Sequence, residues 1–139
     1  MKSFSTIILF LSLGWGFTWQ WTGRTHPELN WTTMETEHFR IHYHQGIENI
    51  SKEGASIAEQ VRPTLLQQMD LDDIPKIDII FTTEDEIMNG FAMWTYTTFI
   101  WVDQNEAAVW LEDEKWLYQV LAHELQHIVF FHKVKTLVP

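Results

Sequence analysis

The chain has 139 residues, of which nine are Lys or Arg and 19 are Asp or Glu, so its formal net charge is −10. This length allows one domain with a modest core, and the negative charge argues against a nucleic-acid-binding surface. The sequence has no Cys, which excludes disulfides and the cysteine of a lipid-attachment site.

Residues 1–21 have the pattern of a secretory signal peptide. Lys2 supplies the positive start, and an apolar run over residues 7–13 extends through Trp15 and Phe17, too short to span a bilayer comfortably. No Ala-x-Ala cleavage site follows, so an uncleaved, membrane-associated N-terminal anchor and a buried core helix remain alternatives. Export without disulfides is typical of a bacterial envelope, so we expect a periplasmic, outer-envelope or extracellular protein.

A polar lead-in is expected over residues 22–36 and the main domain over residues 37–139. Phe39, Ile41 and Tyr43 alternate with polar residues, which predicts a strand with one buried face.

Three histidines share the other face of that strand: His38, His42 and His44. A solvated surface that includes Arg40 is the first interpretation, and a metal or pH-sensing site is the alternative.

A helix and a second strand are predicted next. After Gly46, apolar residues recur at helical spacing through Leu65. Pro63 falls inside this helix and should kink it or end its first half. A turn cluster over residues 70–75 leads to an Ile-rich strand over residues 76–81. Because a helix joins the two strands, a right-handed crossover is expected and the strands should be parallel.

A hairpin and a last helix complete the predicted elements. Residues 82–89 read as an acidic loop closed by a turn at Asn89-Gly90. Residues 91–94 and 98–102 predict two short strands. A helix is expected from about Asp113 to Lys133. The acidic residues 112–114 suit the positive end of its dipole, and two lysines further on suit the negative end.

His123-Glu124-Leu125-Gln126-His127, within this last helix, has the H-E-x-x-H pattern of zinc-dependent hydrolases. Residues four apart lie about 40° apart around a helix, so both imidazoles can reach one ion. Glu124 lies on the same side but is offset, and it is better placed for a metal-bound water molecule than for the ion itself. The flanks are uncharged, and polar groups in so apolar a helix need partners. A buried amphipathic helix with incidental histidines is the alternative.

These residues resemble the zincin metallopeptidases, because residues 120–129 fit the extended sequence pattern of that family. The metzincin branch is disfavoured, because Phe130 and Lys133 stand where it needs Gly and His. The remaining likeness is to the thermolysin-like gluzincins, whose third zinc ligand is a Glu on a following helix. No Glu occurs in the twelve residues after His127, and His132 would point elsewhere. We therefore expect an N-terminal fragment whose third ligand lies beyond the chain end.

The order of elements resembles the upstream half of a peptidase MA-like domain, of the kind often followed by a Tol-type β-propeller. The implied fold is α+β: an incomplete gluzincin N-terminal subdomain in which a small mixed sheet packs on a long helix and the H-E-x-x-H helix. In gluzincins an edge strand pairs with the extended substrate, which would here be residues 91–94 or 99–101. A plain hairpin that packs aromatic residues is the equal alternative.

The resemblance implies a zinc metallopeptidase that acts on a peptide or protein substrate. His123 and His127 would hold Zn²⁺, and Glu124 would take a proton from the zinc-bound water that attacks the scissile carbonyl. The fragment by itself is expected to be inactive. Two alternatives remain: a non-catalytic metal-binding or scaffold module of an exported β-propeller protein, and a small structural protein with incidental histidines.

Overall fold

The computed structural model describes residues 26–83, 88–102 and 115–137, and within them it is a mixed α+β fold, as predicted. Its elements in chain order are β1 (Trp31–Glu35), β2 (Phe39–His44), α1 (Glu48–Gln68), β3 (Ile77–Thr82), β4 (Met88–Met93), β5 (Thr97–Val102) and α2 (Trp116–Leu137). The signal segment predicted over residues 1–21 lies outside the described residues. No helix in the described ranges is both long and apolar enough to cross a membrane.

The five strands form one mixed sheet in the order β1-β2-β3-β5-β4. β2 pairs with β3 in parallel, which confirms the predicted parallel pairing of the strands before and after α1. β3 and β5 are also parallel, whereas β1 with β2 and β4 with β5 are antiparallel. β1 lies inside the predicted lead-in, residues 22–36, and was not anticipated. It is an edge strand whose side chains are half-buried or exposed, so its sequence has no apolar alternation.

Helix α1 approaches the sheet closely at Gly54. A Cβ atom there would lie 2.3 Å from Cζ of Phe81 on β3, so only glycine fits, although it is a weak helix former. Pro63 does not end α1, which runs on to Gln68. Of the two predicted outcomes, a kink or an end of the first half of the helix, the end is therefore wrong. Residues on both sides of Pro63, such as Ala58 and Leu66, are buried in one core, and this packing offsets the missing backbone hydrogen bond.

The predicted hairpin is confirmed, but the predicted turn at Asn89-Gly90 is wrong. Both residues lie inside β4, where they pair with Trp101 and Ile100 of β5. The chain reverses after Met93 instead, through a three-residue connection that ends with Tyr96 at a φ of 62°. A residue in this left-handed conformation is usual at the end of a three-residue hairpin loop.

Helix α2 packs its apolar face against the sheet and α1. Its buried apolar side chains recur at helical spacing: Leu117, Leu121, Leu125, Ile128 and Val129. The helix ends at Leu137, about one turn later than predicted, and its predicted start at Asp113 lies outside the described residues. Lys133 Nζ donates a 3.1 Å hydrogen bond to the Asp70 carbonyl just after α1. The sheet and α1 therefore fix the orientation of the H-E-x-x-H helix.

Candidate metal centre

His123 and His127 converge on the exposed side of α2. Their Nε2 atoms are 3.0 Å apart, the ring planes are at 90°, and the ring centroids are 4.6 Å apart. Two nitrogens bound to one tetrahedral zinc at about 2.0–2.1 Å would be roughly 3.3 Å apart. The pair is thus within a few tenths of an ångström of a chelating separation. Neutral imidazole is also a donor that zinc prefers, so these two residues fit the ion in chemistry and in spacing.

Glu124 is buried, whereas the histidine pair is exposed. Its side chain is only 6% exposed and packs against the backbone of β4 at Gly90. Across the described ranges, no three His, Cys, Asp or Glu side chains form a group that could hold a metal ion. Within these ranges, Glu124 therefore does not form a three-residue group with the histidine pair.

The sheet edge next to Glu124 is β4. This strand is the last in the sheet, and among the strands that the structure describes it pairs only with β5. Of the two segments proposed as a substrate-pairing edge, residues 91–94 contain the end of β4. Residues 99–101 lie in β5, between β3 and β4, so that choice is wrong. Phe91 and Trp94 are 51% and 69% exposed at this edge.

The histidine pair borders an exposed apolar stripe on α2. Phe130, which is 49% exposed, Val134 and Leu137 follow the pair at helical spacing on the same side of the helix. The Phe131 ring stacks on that of His127, with the planes 20° apart and the centroids 6.2 Å apart. This contact restrains the His127 ring, and the surrounding surface suits apolar side chains of a ligand or a covering segment.

His132 points away from the pair, as expected. Its Nδ1 and the Tyr96 hydroxyl share a 2.7 Å hydrogen bond, which joins α2 to the β4–β5 connection.

The histidines of the first predicted strand do not converge on a common point. His38 Nδ1 is 2.7 Å from Glu59 on α1, whereas His42 lies between Asp78 Oδ1 at 2.9 Å and Thr33 Oγ1 at 2.8 Å. Arg40 donates two 2.6 Å hydrogen bonds to Asp78 and thereby lowers the pKa of that carboxyl.

His44 is the exception to the predicted solvated face, because it is buried. Trp31 of the unforeseen strand β1 packs edge-on against its ring, with centroids 5.5 Å apart. His44 Nε2 accepts a 3.3 Å hydrogen bond from the Thr83 amide, and its Nδ1 lies 3.0 Å from the Gln45 carbonyl. Both nitrogens are therefore engaged with backbone groups, which is the pattern of a structural residue.

Comparison of the chain with protein-family models, curated proteins and solved structures gives no match. The interpretation of the site therefore depends on its residues and their geometry.

Proposed function

We propose that this chain carries the H-E-x-x-H part of a zinc metallopeptidase site of the gluzincin type. The observation that supports this most directly is the 3.0 Å separation of His123 Nε2 and His127 Nε2 on an exposed helix face. The buried carboxylate of Glu124 on the same helix supplies a general base. We further propose that the third protein ligand, a carboxylate in the resemblance, comes from sequence that follows Pro139.

The proposed reaction is hydrolysis of a peptide bond. A zinc ion at the histidine pair would polarise the scissile carbonyl and increase the acidity of water. His123 and His127 hold the ion through neutral nitrogens. Glu124 accepts a proton from the attacking water and passes it to the leaving amine. As the edge strand of the described sheet, β4 would align an extended peptide by strand addition.

The substitution Glu124→Gln tests this function in the protein expressed from its complete gene. Gln has the same size as Glu but cannot accept the proton, so casein hydrolysis should fall by about 10²–10⁴-fold while bound zinc stays the same. Glu59→Gln is the matched control, because Glu59 is another partly buried glutamate beside a histidine, on α1 rather than at the site. Its activity should stay near the parental value. Parental hydrolysis by Glu124→Gln would refute the role of the base, and loss of zinc would indicate that Glu124 is a ligand.

A non-catalytic scaffold is the second candidate, and the exposed stripe of Phe130, Val134 and Leu137 favours it. Large apolar side chains on one helix face are typical of an interface that another segment covers. A full-length protein that binds zinc at the pair but hydrolyses no peptide would support this candidate. Export to the bacterial envelope and a following β-propeller belong to both proposals.

A further inference from the structure

Gly90 occupies an unusual place in the middle of β4. Glycine weakens strand interiors, and it often marks a point where another group approaches the backbone closely. The φ of Gly90 does not lie in the left-handed region, so its backbone conformation does not require glycine. The space around residue 90, however, does require glycine. A Cβ atom at this position would lie 2.4 Å from Cγ, 2.7 Å from Oε1 and 2.8 Å from Cδ of Glu124.

We propose that Gly90 is a positioning residue for the Glu124 carboxylate. Glu124 projects from a helix that the buried side chains of Leu121, Leu125 and Ile128 hold against the core. The carboxylate packs against the backbone of β4 at Gly90, which has no side chain. The glycine thus makes the space in which this carboxylate lies, next to the edge strand β4. The catalytic part of this inference rests on the proposed function, whereas the structural coupling does not.

The placement matters because catalytic groups act only over short distances. A general base must lie within hydrogen-bond reach of the proton it takes, and displacements of about 1 Å can cost about 10²-fold in rate. A methyl group at residue 90 would displace three atoms of Glu124 that now lie less than 3 Å from the position of its carbon. The three atoms nearest to that carbon all belong to Glu124 and none to His123 or His127, so the metal ligands should be unaffected.

A double-mutant cycle on the 139-residue chain tests the structural coupling. Gly90→Ala should lower the folding equilibrium constant by on the order of tenfold or more, because it overpacks the Glu124 contact. Glu124→Ala removes Cγ, Cδ and both carboxylate oxygens. In the Glu124→Ala chain, Gly90→Ala should therefore lower the folding equilibrium constant much less than it does in the parental chain. The readout is the urea unfolding curve of each variant.

Gly54→Ala is the matched control, because its added methyl would overlap Phe81 instead of Glu124. Glu124→Ala should therefore not rescue Gly54→Ala. If Gly90→Ala fails to fold and the double variant folds, the coupling is supported. If Glu124→Ala rescues neither glycine variant, or rescues both alike, the inference is overturned.

The catalytic part is tested in the full-length enzyme. Gly90→Ala should keep its zinc affinity within about threefold and lose kcat by about 10²-fold, while Gly54→Ala should keep kcat per folded molecule. Parental kcat in Gly90→Ala would overturn the positioning role. If the parental full-length protein hydrolyses no peptide, the proposed function fails. The structural coupling between Gly90 and Glu124 does not depend on that result, because the unfolding double-mutant cycle tests it separately.

Discussion

Zinc should stabilise the folded chain through the histidine pair, and His127→Ala should abolish this effect. The two Nε2 atoms are already 3.0 Å apart, so binding requires only a small adjustment of the rings. A ligand that binds only the folded state adds about 2.7 kcal/mol to the free energy of unfolding when its free concentration is 100 times Kd. For a domain of this size, each kcal/mol raises Tm by roughly 3 °C, so the expected rise is about 8 °C.

The assay is a thermal unfolding titration with zinc for the parental chain, His123→Ala, His127→Ala and His132→Ala. A single remaining imidazole cannot chelate, so the first two variants should show a rise of no more than about 2 °C. His132→Ala is the control on the same helix, because its ring contacts Tyr96 instead of the pair. It should start from a lower Tm and keep the full zinc-dependent rise.

Three results would refute this reasoning about the pair. The first is that zinc does not raise Tm of the parental chain at any concentration. The second is that His127→Ala keeps the parental rise, which would move the binding site to other side chains, such as those of His38 and His42. The third is that His132→Ala loses the rise, which would make the third histidine of α2 a ligand.

Two further predictions concern stability. Pro63 is exposed and interrupts the hydrogen bonds of α1. Pro63→Ala should therefore raise the free energy of unfolding, measured by urea titration, by about 1–2 kcal/mol. A decrease would show that the proline ring makes a favourable contact. The hydrogen bonds from Arg40 lower the pKa of Asp78 below its ordinary value of 3.8. The ionised Asp78 therefore stabilises the folded chain at pH values above 3.8. This stabilisation is lost as the pH falls through the lower pKa of the folded state. Asp78→Asn should therefore lose less stability than the parental chain between pH 5 and about pH 2, and equal losses in urea titrations would contradict this assignment.

The features predicted correctly from the sequence are those set by local spacing. The convergence of His123 and His127 follows from helix geometry, since residues four apart share a face. The alternation of Phe39, Ile41 and Tyr43 fixes which side of β2 faces the core. The parallel pairing of β2 and β3 follows from the single helix between them.

The features that were missed depend on contacts between distant parts of the chain. β1 is an edge strand without apolar alternation, so only its pairing with β2 reveals it. The burial of His44 then follows from Trp31 of that strand. Asn89-Gly90 has the composition of a turn, yet pairing with β5 makes it part of β4. A glycine within a possible strand was the available signal, because it often marks a close approach to the backbone.

The two halves of the site differ in what their formation requires. The histidine pair lies within one turn of α2, so it is complete as soon as that turn of helix forms. The carboxylate of Glu124 reaches its place only after β4 has joined the sheet, since its neighbour there is Gly90. Under the proposed function, the newly formed helix would therefore bind a cation before the Glu124 carboxylate reaches its place. Zinc available at that stage would bias the chain towards the helical state and so favour the later docking of the strand.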